Sequence, residues 1–250
     1  MKTKIIINPE YQYLEEFIRN LPDIFNVMGE VIQNKRNVIK QLNVDSLSLN
    51  IKRFRKPIFI NRIIYSFFRK TKAYRAYHNA IAVEQKGFLT PTAIAYIEEY
   101  EGGLLSNSYF VSEQITNVKE IREYFWSEVP GNEQLFSEFA QYTAQLHGAG
   151  ILHLDYSPGN ILISENEGKY QFTLVDINRM HFEEVDIKKG CENFSRLFKL
   201  DSTYIYLAKE YAKERNMDIQ NCIKYFLFYK HRFEQRKDRK RRLKQYFGKG

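Results

Sequence analysis

The apolar residues of this chain change period part-way along it, and that change limits the fold more than any other feature. From about Val27 to Phe54 they occur in short, alternating, β-branched runs: Val31-Ile32, Val38-Ile39 and Leu47-Ser48-Leu49-Asn50-Ile51. Polar clusters, Asn34-Lys35-Arg36-Asn37 and Asn43-Val44-Asp45-Ser46, separate the runs, which is the pattern of an antiparallel meander. Residues 71–86 suit a helix closed by Gly87 and Pro91, and two further strands follow at Ala93–Glu99 and Tyr109–Gln114, with Gly102-Gly103 turning between them. The first half therefore reads as a sheet with one helix. From Asn117 the spacing becomes three and four. Leu135, Phe136, Phe139, Tyr142 and Leu146 set one apolar stripe along a helix from about Asn132 to His147, stopped by Gly148 and Gly150. Ile161-Leu162-Ile163 and Phe172-Thr173-Leu174-Val175 flank the hairpin-turn chemistry of Asn166-Glu167-Gly168, and beyond Gly190 the pattern is helical to the end. The expected fold class is α+β, with a β-rich lobe over residues 1–115, a compact helical lobe over 116–229, a hinge near Glu113–Asn117 and a basic tail over 230–250.

Composition supports a packed core. Of 250 residues, 44% are apolar and 15% aromatic, enough to offset the ordering entropy without disulfides or metals. The net charge of +8 is localised: residues 230–250 hold ten Lys/Arg and two acids, while the rest of the chain balances. Cys191 and Cys222 read as reduced thiols of a cytosolic protein, with a single bond between them as the alternative. No uninterrupted apolar stretch approaches the roughly 18 residues that a membrane-spanning helix needs. The apolar run Ile5-Ile6-Ile7 stops at Asn8-Pro9-Glu10, too early for a signal peptide.

Chemistry concentrates in His153-Leu154-Asp155-Tyr156-Ser157-Pro158-Gly159-Asn160-Ile161-Leu162, a loop between a helix and a hairpin. The spacing His-x-Asp-x4-Asn resembles the catalytic loop of kinases, in which the Asp accepts the proton of the acceptor hydroxyl and the Asn holds magnesium. At the end of the second hairpin arm stands Val175-Asp176-Ile177-Asn178. A carboxylate there and an amide oxygen from Asn160 are the hard ligands a magnesium–triphosphate takes. Ile177 and Asn178 stand where protein kinases carry Phe and Gly, so a protein-kinase style activation switch is not expected. Lys52, near the end of an alternating strand, occupies the place of the phosphate-gripping lysine. Its usual glutamate partner has one candidate, Glu84, the only acid between Phe54 and Ile97. Gly29 is the only glycine before Gly87, so Lys35 and Arg36 in the 34–37 turn are the candidate charges in place of a glycine-rich phosphate loop. His153 is expected to pack beneath the loop and fix Asp176 or nearby backbone. Arg179 and Arg196 fit either an anionic substrate or structural ion pairs.

Through Ile51-Lys52-Arg53-Phe54, Gly87–Pro91, His153–Leu162 and Val175-Asp176-Ile177-Asn178-Arg179, the chain resembles the protein-kinase-like superfamily. Within it, the chain is most similar to the lipopolysaccharide core kinases of the Kdo/heptose group. The resemblance implies a bilobal protein-kinase-like fold, ATP and Mg2+ as cofactors, Asp155 as the catalytic residue, and Asn160 and Asp176 as metal ligands. Lys52, Glu84 and Lys35 would then sit around the nucleotide. It implies phosphorylation of a sugar hydroxyl on a lipopolysaccharide precursor, Kdo–lipid A or heptosylated core, at the cytoplasmic face of the inner membrane. The 74 residues after Asp176 contain no Ala-Pro-Glu and leave little room for a peptide-docking platform, which favours a compact acceptor. The basic tail fits peripheral attachment to an anionic membrane, with nucleic acid as the weaker match. A soluble small-molecule or RIO-like kinase, or a non-catalytic kinase-like binding module, are the competing readings.

Overall fold

The structure, a computed structural model, describes residues 2–247; Gly248, Lys249 and Gly250 of the basic tail lie outside the described residues. The chain divides into two compact units, residues up to Thr116 together with Asp176–Arg179, and Asn117–Val175 together with the chain from Met180 onward.

The first unit contains β1 (Lys2–Ile7), α1 (Glu15–Ile24), β2 (Glu30–Asn34), β3 (Val38–Val44), β4 (Leu47–Phe54), α2 (Phe59–Ile63), α3 (Lys72–Gln85), β5 (Ala93–Glu101) and β6 (Leu104–Glu113). Its strands form one antiparallel sheet in the order β1-β5-β6-β4-β3-β2. Alternation along β4 puts Leu49 and Ile51 on one face, buried against Ile18, Leu21 and Phe25 from α1 and the turn after it. Lys52, one residue out of phase, belongs to the other face, where α3 packs through Ala73, Ala76, Tyr77, Ala80 and Val83. Thr71 caps α3 by accepting from the Tyr74 N–H, and Gly87 ends it at φ +82°. The expectation of a single helix in this half is corrected: α1 and α2 join α3, and β1 adds an edge strand paired with β5.

The second unit contains β7 (Lys119–Glu120), α4 (Glu133–Gly148), β8 (Ile151–His153), β9 (Ile161–Asn166), β10 (Lys169–Leu174), β11 (Met180–Phe182), α5 (Ile187–Asn193), α6 (Asp201–Glu214) and α7 (Ile219–Phe247). The apolar stripe of α4 is buried, with the Phe139 ring at the centre of an aromatic cluster with Tyr156, Phe172, Phe194 and Phe198. The β9–β10 hairpin turns through Glu167 and Gly168, both at positive φ, as a primed two-residue turn requires. The basic segment is the outer part of α7. Cys222 and Phe226 bury its first turns, and Lys230, itself buried, pairs with Asp201 and Glu234. Past Glu234 the described residues of α7 are largely exposed. Cys191 and Cys222 are free, buried thiols.

Candidate active site

In the second unit, β8 delivers His153 to the start of the loop, where the ring is fully buried. The Asp155 N–H can only donate, so Nδ1 of His153, 3.0 Å away, is its acceptor. Nε2 then carries the proton and gives it to the Val175 carbonyl at 3.1 Å. His153 is thus a neutral brace between the loop and the end of the hairpin. Tyr156, also fully buried, donates its hydroxyl to Thr143 Oγ1 at 2.8 Å, since Thr143 itself donates to the Phe139 carbonyl. Asn160 donates Nδ2 to the Asp155 carbonyl at 2.8 Å, which orients its Oδ1 the other way, and its own carbonyl accepts from Val175. A Cβ on Gly159 would lie 2.0 Å from Nη2 of Arg122, the end of an exposed, flexible side chain that would have to turn aside.

Arg196 gathers the loop. Its Nη2 pairs with Asp155 Oδ1 at 2.8 Å and reaches the Leu154 carbonyl at 3.2 Å, while its Nε donates to the Tyr156 carbonyl at 3.0 Å. Of the two roles open to it in the sequence, the structure assigns this arginine the ion pair. Asn193 adds a bond from Nδ2 to the His153 carbonyl at 2.9 Å, and its Oδ1 meets His147 Nε2 at 3.2 Å. Burial pushes the His147 ring down to about 4, so it is neutral at pH 7.

In the first unit, Lys52 Nζ meets Asp176 Oδ1 at 2.6 Å. The same oxygen accepts from Asn178 Nδ2 at 2.5 Å, and Asn79 on α3 holds the Ile177 carbonyl at 2.7 Å. Asp176 sits at φ +55°, a left-handed conformation that aspartate tolerates better than a bulky residue. The surroundings are cationic: burial, then the charges of Arg36 and Arg75, push Lys72 below the ordinary lysine value. A cavity of about 250 Å3 is lined by Arg36, Arg55, Lys56 and Lys72 together with Phe54 and Tyr65.

Glu84 and Lys35, expected around the nucleotide, have the following surroundings in the structure. Among the described residues Glu84 makes no ion pair with Lys52. It lies near the end of α3 and bonds to Thr92, and burial raises its carboxyl, helped by Glu113 and Glu10. Lys52 takes Asp176 instead, because the α3 face nearer to it carries Lys72 and Asn79 in place of an acid. Lys35 is exposed in the β2–β3 turn, and the residue of that turn that lines the cavity is Arg36. Asn79 was not singled out in the sequence, and Asn178 was noted there only for standing where protein kinases carry Gly; an asparagine carries no signal for this contact until the hairpin end is folded.

Residues 30–218 match the lipopolysaccharide kinase (Kdo/WaaP) family. The 3-deoxy-D-manno-octulosonic acid kinase of Vibrio parahaemolyticus serotype O3:K6 (strain RIMD 2210633) is 21% identical over 184 residues, which cover 71% of this chain and 74% of that protein. A solved structure described as WaaP in complex with acyl carrier protein superposes with a TM-score of 0.65 at 13% identity, covering 93% of this chain and 98% of that one, a likeness of fold. With well over half of its length inside the match, the chain belongs to the lipopolysaccharide kinase (Kdo/WaaP) family, protein-kinase-like α+β enzymes that transfer phosphate to a sugar hydroxyl.

Proposed function

We propose that this chain transfers the γ-phosphoryl group of ATP to a hydroxyl of 3-deoxy-octulosonic acid (Kdo) on a lipid-A-anchored inner-core acceptor. The observation that carries the reading is the Lys52–Asp176 pair, 124 residues apart in sequence and 2.6 Å apart in space, in a cationic setting suited to polyphosphate. The Kdo acceptor is inferred from the Vibrio relative.

In this reading Lys52 holds the α- and β-phosphates, with Arg36 and Lys72 adding charge around them. Asp155 orients the acceptor hydroxyl and takes its proton as the new bond from oxygen to the γ-phosphorus forms and the bond to the β–γ bridging oxygen breaks, releasing ADP. Arg196 fixes the carboxylate that does this. In this reading the hard oxygens of Asp176 and of Asn160 would be the protein's ligands to Mg2+, with phosphate and water completing the shell. Bound Mg2+ supplies neutralisation of the phosphate charge. The enzyme would work at the cytoplasmic face of the inner membrane, where its acceptor is anchored, with the cations from Arg232 to Lys244 on α7 drawn to anionic lipid.

Incubation with labelled ATP, Mg2+ and a panel of acceptors tests this, with Asp155→Asn as the control. Label on Kdo–lipid A that disappears in the variant is expected. Label confined to heptosylated core moves the acceptor to heptose. Label confined to soluble sugars or to protein favours the soluble kinase reading, and ATP binding without turnover on any acceptor favours a non-catalytic module.

A further inference from the structure

Residues 55–70 form a surface whose polarity is inverted. An ordinary surface helix turns its apolar face to the core and its charges to water. Here α2 and the π-helical turn that continues it, Ile64–Phe68, do the reverse. Their polar side chains hold the segment to β6: Arg62 Nε donates to the Leu105 carbonyl at 2.7 Å, Ser66 Oγ accepts from the Leu105 N–H at 2.9 Å, and Ser66 donates to the Arg62 carbonyl. The apolar side chains point outward. Ile58, Phe59, Ile60, Phe67 and Phe68 are each at least 64% exposed, and Ile64 joins them. The polar bonds fix the segment in this orientation, so the outward apolar face is part of the fold and not a frayed helix. A contiguous patch of this kind marks a surface that meets something other than water.

Its frame identifies what it meets. Arg55, Lys56, Arg69 and Lys70 flank the patch and are exposed, and no acid occurs in sequence between Phe54 and Glu84; among the described residues the one carboxylate paired with this frame is Glu101, at 3.2 Å from Lys56, which leaves the cations in excess. Apolar side chains flanked by an excess of cations fit an anionic bilayer, with the rings at the acyl boundary and the cations among the phosphates. A second copy of the chain fits badly, because an isologous contact would set these cations against themselves. We infer that residues 58–68 dock the first unit onto an anionic membrane surface. This goes beyond the kinase reading and does not depend on it, since vesicle binding and phosphoryl transfer are measured separately.

The test is co-sedimentation of the full chain with vesicles of phosphatidylglycerol and phosphatidylethanolamine, against vesicles of phosphatidylcholine alone. The wild type is expected to partition onto the anionic vesicles. Phe67→Ser/Phe68→Ser should weaken that partitioning at least tenfold, leaving the thermal midpoint and the far-ultraviolet circular dichroism unchanged. Arg239→Glu/Arg242→Glu, on α7, should weaken the binding less than the Phe67/Phe68 change does. Phe68→Trp in a Trp126→Phe background gives a second measure: its emission should shift to the blue on anionic vesicles. No vesicle binding by the wild type would overturn the inference. So would binding that survives the Phe67/Phe68 change but is lost on reversal of the α7 charges, or a patch variant that alters oligomeric state and not partitioning.

Discussion

Asp155 reaches its position through contacts with residues far along the chain as much as through its own loop. The local part was legible: the spacing from His153 to Asn160 is short enough for the loop to bond within itself, as the Asn160–Asp155 and Asp155–His153 contacts do. Arg196 was not resolvable in that way, because its contact lies 40 residues beyond Tyr156 and depends on where α5 ends. Removing its guanidinium leaves the Asp155 carboxylate without its fixed partner and frees its rotamer. Arg196→Met should therefore lower kcat by roughly 10- to 100-fold with little change in the KM for ATP, and Arg196→Lys should recover part of the loss, as steady-state kinetics would show. Lys52→Ala should do the opposite, raising the KM for ATP on the order of tenfold or more, because a charge-assisted contact to phosphate is lost from bound nucleotide.

Elements differed in legibility according to how local their stabilisation is. The meander β2–β3–β4, α3, α4 and the β9–β10 hairpin carry their own period and turn residues, and the expected spans lie within a few residues of those found. α1 has the right stripe in Leu14, Phe17, Ile18, Leu21 and Phe25, yet Pro22 inside it removes a backbone donor and masks the pattern. β1 is only a short Ile run until β5 pairs with it across the sheet. In α5 the constraint is steric: a Cβ on Gly190 would meet Tyr211 Oη at 2.2 Å and His147 Nδ1 at 3.3 Å. Gly190→Ala should cost about 1–3 kcal/mol of stability, measurable by urea unfolding, by forcing α5 from α6 and parting Tyr211 from His147.

At the scale of the whole second unit, His147 links α4, through Tyr211, to α6 and, through Asn193, to α5 and the His153 carbonyl. Burial lowers its pKa from 6.5 to about 4, so between these values the unfolded chain binds a proton that the folded unit refuses. Its contribution is complete above pH 6.5 and is lost as the pH falls toward 4, amounting to about 3 kcal/mol across that window. Urea midpoints measured from pH 7 to pH 4 should fall, and His147→Gln should flatten that part of the curve while lowering stability at pH 7.

The sequence alone determined the β-rich and helical halves, the kinase-type loop and the family resemblance, because alternation, helical spacing and a compact motif are written over neighbouring residues. Tertiary structure decided which charge meets which: that Lys52 takes Asp176 and not Glu84, that Arg36 and not Lys35 lines the basic cavity, and that Arg196 clamps Asp155. It also turned the apolar side chains of residues 58–68 outward. The physical reason is range. Backbone period is set within a few residues, whereas an ion pair or an exposed face depends on distances between elements that the linear order does not contain.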